Sequence, residues 1–260
     1  MALTTNHGSS DYQGLHAAYR RRVARGLQAL ASYTWSHSMD DDSSDAFLVW
    51  TGPGSSVARD RGSSDFDLRH TLTSGLTFEF PRRAAGMARF LGGWAMDAML
   101  RARTGFPITV LESEQYHGVN LSNAFRPDLV AGQPVWITDR AAPGGRRLNP
   151  DAFRSPAPGI QGSLGRNAVT GFGTSQLDLA LRREFRLAER RAIELRMEAF
   201  NAPNQANFAD PAEFLSSPMF GRSASMLNLM LGTGSPGSGL APLLGTGGAR
   251  SLQGALRFHF

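Results

Sequence analysis

Seven stretches of this chain alternate apolar and polar side chains residue by residue, and that period of two constrains its fold most. Leu27, Ala29, Ala31, Tyr33 and Trp35 stand between Gln28, Leu30, Ser32, Thr34 and Ser36. Residues 72–80, 94–102, 177–181, 193–199 and 252–260 repeat the pattern, and Leu15, Ala17 and Tyr19 form a weaker first member. Side chains of a strand point alternately to opposite faces, so each stretch reads as a strand with one apolar face. Residues 187–201 are also rich in helix formers. Glu194, Arg196 and Glu198 nevertheless alternate strictly with apolar neighbours, and a helix would spread them around its axis. A strand is expected there too.

The connections alternate in length. Those at 24–26, 81–93 and 187–190 are short or moderate, whereas 39–65, 105–174 and 202–249 are long. Strands of about ten residues, with short turns at one end and long loops at the other, are the pattern of a transmembrane β-barrel. The expected fold is therefore all-β: an antiparallel barrel segment of about seven strands with short periplasmic turns and long outer loops. Its lipid face would carry aromatic residues at both edges: Tyr33 and Trp35 outside, and Phe80, Trp94, Phe185, Phe258 and Phe260 on the periplasmic side. The opposite faces carry Asp97, Arg101, Arg103, Asp178, Arg182, Glu194, Arg196, Glu198 and Arg257. So many charges would be costly against a dry core and suit a wet or plugged lumen. The alternative is a soluble β-sandwich, a binding or adhesion module whose apolar faces meet in one core.

Composition narrows the function. Cysteine is absent, which removes disulfides, Cys-ligated zinc and thiol nucleophiles. The 27 basic residues are all arginine, and they scatter along the chain instead of forming one block, so no nucleic-acid partner is expected. No run of about 18 apolar residues exists to form a membrane-spanning helix. Residues 1–14 show no basic region followed by an apolar run, so no signal peptide is read there. Ser36, His37 and Ser38 with Asp40, Asp41, Asp42 and Asp45 invite a metal or hydrolase reading. They lack the glycine and closing glutamate of a Ca²⁺ loop, so a solvated loop is expected. His70, at a strand start, reads as a histidine on the wet face. The glycine-rich stretch 232–248 and the proline-rich stretch 127–158 read as flexible and extended outer loops. No catalytic, cofactor-binding or metal-binding motif is found, and no enzymatic activity is expected.

Several segments together carry a family likeness. They include Tyr12-Gln13-Gly14-Leu15, Tyr33-Thr34-Trp35-Ser36-His37-Ser38, Asp65-Phe66-Asp67-Leu68-Arg69-His70 and Gly92-Gly93-Trp94. Further along come Arg103-Thr104-Gly105-Phe106-Pro107, Arg126-Pro127-Asp128-Leu129 and Leu148-Asn149-Pro150-Asp151-Ala152-Phe153. Gly165-Arg166-Asn167, Glu198-Ala199-Phe200-Asn201 and Phe220-Gly221-Arg222 follow. In this order they resemble the C-terminal β-barrel portion of Oar-like TonB-dependent outer-membrane transporters, which often carry a carboxypeptidase-regulatory-like domain. The ending Leu256-Arg257-Phe258-His259-Phe260 is similar to an outer-membrane assembly signal. The resemblance implies outer-membrane lipid, the barrel-assembly machinery, a TonB-type energy-coupling protein and an unknown bulky solute as partners. It also implies about 22 strands around a plug. Residues 1–260 would then be a fragment that needs the remaining strands and the plug before it can transport.

Overall fold

A computed structural model describes residues 8–23, 26–43, 60–81, 92–112, 125–157, 160–188, 191–227 and 247–260. Seven long strands form one sheet in chain order: β1 (Ser10–Val23), β2 (Leu27–Asp40), β3 (His70–Glu79), β4 (Trp94–Arg103), β5 (Thr174–Ala188), β6 (Arg191–Phe200) and β7 (Ser251–His259). Every neighbouring pair is antiparallel, and β1 and β7 are the two edges. The described part of the segment rich in helix formers, up to Phe200, is thus strand, the end of β5 and all of β6. The long connections gather at one end of the sheet, called the outer end below.

Register joins the seven patterns into two surfaces. Leu27, Phe78, Met96, Leu181, Met197 and Gly254 form one row across β2 to β7. The next residues along, Gln28, Thr77, Asp97, Ala180, Glu198 and Gln253, form a row on the opposite side. A slip of one residue anywhere would mix the faces.

Burial on these faces is the reverse of a sandwich. The buried strand residues Ser36, Ser38, Asp40, Ala95, Gln176 and Ala180 all belong to the polar face. Leu15, Leu76, Met96, Met197 and Leu256, on the apolar face, are exposed. The separation is incomplete, since Leu30 and Met99 are exposed on the polar side. A water-soluble sheet of this kind would forfeit the burial of its whole apolar surface. In a bilayer that surface is already in a matching solvent.

The hydrophobic core lies in the connections. Ile108, Val110, Leu148, Ala152, Phe153, Leu164, Val169 and Phe220 form one buried cluster, with Val135, Trp136 and Leu215 packed on it. Phe153 and Phe220 meet edge to face at 5.6 Å. Three short antiparallel pairings stiffen this body: 107–108 with 169–170, 128–129 with 153–154, and 136–138 with 146–148. The proline-rich stretch is therefore folded and not extended: Pro127 is fully buried, and Pro143 and Pro150 open single 3₁₀ turns. At Gly221 the backbone has φ +74, and an added Cβ would stand 2.8 Å from the Leu148 backbone, so a glycine is required. Of the glycine-rich stretch, 232–246 lies outside the described residues.

Candidate functional site

The polar face holds its charges in pairs. Thr77 Oγ1 donates to Asp97 at 2.7 Å, and Arg182 Nε donates to the other Asp97 oxygen at 3.2 Å. Arg182 also lies 3.9 Å from Glu79. Nearer the outer end, Arg101 Nη1 donates to Asp178 at 3.1 Å. The second Asp178 oxygen accepts from Gln176 Nε2 and from the Asn201 backbone, both at 2.8 Å. Arg196 holds Glu198 at 2.7 Å, and Glu194 stands opposite Arg257 in register. Arg103 closes the strand with its guanidinium carbon 4.2 Å over the Phe106 ring. The nine charged positions singled out in the sequence thus share one face. Exposed pairs contribute little individually; Arg182 stands opposite Arg196 and Glu184 opposite Glu194 in register, and Asp97, Glu198, Arg186 and Arg257 offset these like-charge contacts.

Above that face, polar clasps bind the long connections to the sheet. Arg166 forms an ion pair with Asp40; it also donates to the Asp40 carbonyl and the Asp60 carbonyl, each at 2.7 Å. Arg126 reaches Asp60 Oδ1 at 2.8 Å and the Leu164 carbonyl at 3.0 Å. Asn167, in the left-handed region at φ 54, donates to the Ser63 carbonyl at 2.7 Å and to Asp65 at 2.6 Å. Strand Gly62–Ser63 pairs with Met39 and Asp40 at the tip of β2. Asn201 Nδ2 and Gln176 Oε1 hold the backbone at Gly248 and Gly247, each at 2.8 Å.

The Ser36–Asp40 segment is not a solvated loop. It is the outer end of β2, with Ser36, Ser38 and Asp40 buried in alternation. Its groups are engaged separately: Ser36 Oγ donates to the Leu68 carbonyl, His37 Nδ1 lies 3.0 Å from Asp67, and Asp40 takes Arg166. Between body and sheet, burial pushes the Asp210 carboxyl up to about 6, with the Arg103 charge offsetting part of the rise. Burial also raises Glu213, and the Asp210 and Asp65 charges add to it. On the body surface the Ala141 backbone N–H holds Asp139 below the ordinary carboxylate range, helped by Arg222 and Arg147.

The aromatic residues singled out in the sequence share the apolar face. Tyr33 OH meets His70 Nδ1 at 2.7 Å, and Trp35 stands opposite His70. His70 therefore lies on the apolar face and not the wet one. At the inner end, the Phe80 N–H donates to the Trp94 carbonyl at 2.9 Å, and the Arg183 guanidinium lies over Phe185 and Trp94 at 4.9 and 5.5 Å. Phe185, Ile193 and Phe258 form one row, and Phe260 is 98% exposed.

An antiparallel sheet that exposes its apolar face and pairs charges on the other matches a family model described as an outer membrane beta barrel domain, over residues 1–229. The chain belongs to that family. No curated protein and no solved structure matches it. An outer membrane beta barrel domain places the protein in the bacterial outer membrane. In the sequence, Arg166, Asn167 and Asn201 carry no site motif of their own and stand only within the segments of the likeness. The available signal was local: Asn before or after a strand tolerates the left-handed turn that aims its amide at neighbouring backbone.

Proposed function

We propose that these strands are a section of the wall, and the connections a section of the outer cap, of a larger TonB-dependent transporter barrel taking up a bulky solute. The observation that carries the partial-wall part is the direction of the two edges; the transporter part rests on the likeness of the sequence to TonB-dependent barrels. Seven is odd, so β1 and β7 run the same way. Bacterial barrels are antiparallel with an even strand number. Closing β7 directly on β1, within one chain or between copies in one membrane, would make a parallel seam. An odd number of further strands avoids it. The remaining strands, a plug, a TonB-type coupling protein and the barrel-assembly machinery are the partners of this reading; nucleic acid is not. The role is passage, without bond-making chemistry, cofactor or metal. These seven strands do not transport alone.

Because the chain has no cysteine, a pair introduced by Ala17→Cys and Gly254→Cys reports on the seam without background. The expected outcome in outer membranes is no 17–254 disulfide within a chain. A high yield of that disulfide would show a closed seven-stranded barrel and sink the partial-wall reading. Transport is tested separately by whole-cell accumulation of labelled bulky solutes, with and without a protonophore. Accumulation that ignores the protonophore, or loss of the gene, would remove the energised-uptake part.

A further inference from the structure

A cavity of about 570 Å³ opens where the apolar face meets the loop body. Its floor is the outer end of that face, with Tyr33, Leu72 and Ala102 side by side in register. Its roof is the hairpin that carries Trp136 and Arg146. Those two are diagonal neighbours on one side of the hairpin, which sets the guanidinium over the indole at 4.2 Å. Phe172 closes the other side at 5.0 Å, and the two rings meet at 5.3 Å. Arg146 donates one long hydrogen bond, 3.5 Å, to the Gly171 carbonyl. Among the described residues it has no carboxylate partner. The nearby Asp139 is already taken by Arg147 at 3.0 Å and Arg222 at 3.3 Å. His70, held by Tyr33, also lines the cavity, as does Arg103, whose guanidinium lies over the Phe106 ring and faces the Asp210 charge.

We propose that this cavity binds the phosphate group of an anionic lipid of the outer leaflet, with Arg146 as its cation and the Tyr33–Leu72–Ala102 floor against the acyl chains. The position decides for a lipid over a soluble anion. The cavity sits at the outer edge of an exposed apolar surface, where headgroups lie. A guanidinium seated over two rings and making one long hydrogen bond keeps its other N–H groups for a phosphate, and a desolvated setting strengthens that bond. The Tyr33–His70 pair adds a polar wall beside it. The inference rests on the outer-membrane placement of the chain and not on transport.

The test is native mass spectrometry of the full chain released from detergent micelles. The probes are dimyristoyl phosphatidic acid, phosphatidylcholine of the same chains, and inorganic phosphate. Phosphatidic acid is expected to be retained in preference to phosphatidylcholine, with retention about tenfold weaker in Arg146→Gln and unchanged in Arg140→Gln, an exposed loop arginine. Arg146→Lys should be intermediate, because an ammonium keeps the charge without the planar fork. Equal loss in Arg146→Gln and Arg140→Gln would reduce the effect to surface charge and overturn the site. Displacement of the lipid by millimolar inorganic phosphate would make it a free-anion site and overturn the lipid assignment. Should Arg146→Gln lose its folded, heat-modifiable gel mobility, Tyr33→Phe with His70→Gln gives the second reading. Retention unaltered by that pair of changes would likewise overturn the cavity as drawn.

Discussion

The sheet and the loop body of this protein bury opposite things. In the sheet, the buried residues are Ser36, Ser38, Asp40, Gln176 and two alanines, while leucines and methionines are exposed. In the loop body, Leu148, Val110, Phe153 and Phe220 are buried, as in any soluble domain. One chain thus obeys two solvents. Hydrophobic burial can drive folding only where water is the alternative, which is the outer body. The sheet must satisfy its backbone by strand pairing, because lipid offers no hydrogen bonds. The clasps sit where the two regimes meet, and there the buried groups are charged.

The largest expected effect separates the regimes at that junction. Arg166→Ala leaves Asp40, whose side chain is 7% exposed, without its cation. Breaking one side of a buried pair costs about 4 kcal/mol. A variant retaining only Trp136 among its tryptophans should report a loop body unfolding at much lower urea, while the sheet keeps its heat-modifiable gel mobility. Joint loss of both would mean that body and sheet form one cooperative unit. Next comes Leu148→Ala, which empties a fully buried site in the body and should cost about 3 kcal/mol in the same urea measurement. Leu76→Ala on the apolar face should cost less than about 1 kcal/mol, because lipid fills the space that a rigid core would leave void. Equal costs for the two leucines would break the comparison.

How far the two regimes were legible follows from what each leaves in the sequence. A sheet with one apolar face writes a period of two into consecutive residues, so β3, β4 and β6 could be read directly, including the rival helix over 187–201. The outer end of β2 could not. Ser36, His37, Ser38 and Asp40 are polar with only Met39 apolar among them, and the partner that covers Asp40 is Arg166, 126 residues away. The body was missed for a related reason. Ile108, Leu148, Leu164 and Phe220 are scattered singly among prolines and glycines, and nothing local says that they converge. The nine charged residues were grouped on one face by parity alone, whereas their pairing needed the register.

A pH effect sharpens the same boundary. Asp210 has its carboxyl raised from 3.8 to about 6 by burial. An acid whose folded pKa lies above its ordinary value is stabler neutral. Its contribution is therefore complete below 3.8 and is lost as pH rises through about 6. The urea midpoint of the loop body should fall across that window, and Asp210→Asn should flatten the fall. An unchanged slope in the variant would assign the pH dependence elsewhere, with Glu213 the next group to replace.

The smallest effect belongs to the inner edge of the apolar face. Arg183 stands in register with Trp94, on the mainly apolar face, and its guanidinium covers Phe185. Such a contact at an exposed site stabilises by about 0.5–1 kcal/mol. Arg183→Gln should therefore lower the temperature at which the sheet loses its heat-modifiable mobility by a few degrees, and leave the loop body untouched. The ordering is the point: a charge on the lipid side is tolerated here because rings and the membrane edge receive it. Moving the same charge to mid-strand, as Leu76→Arg, should cost about 2–4 kcal/mol. If Leu76→Arg instead matched Arg183→Gln in size, the apolar face would be facing water, and the contrast between sheet and loop body would lose its cause.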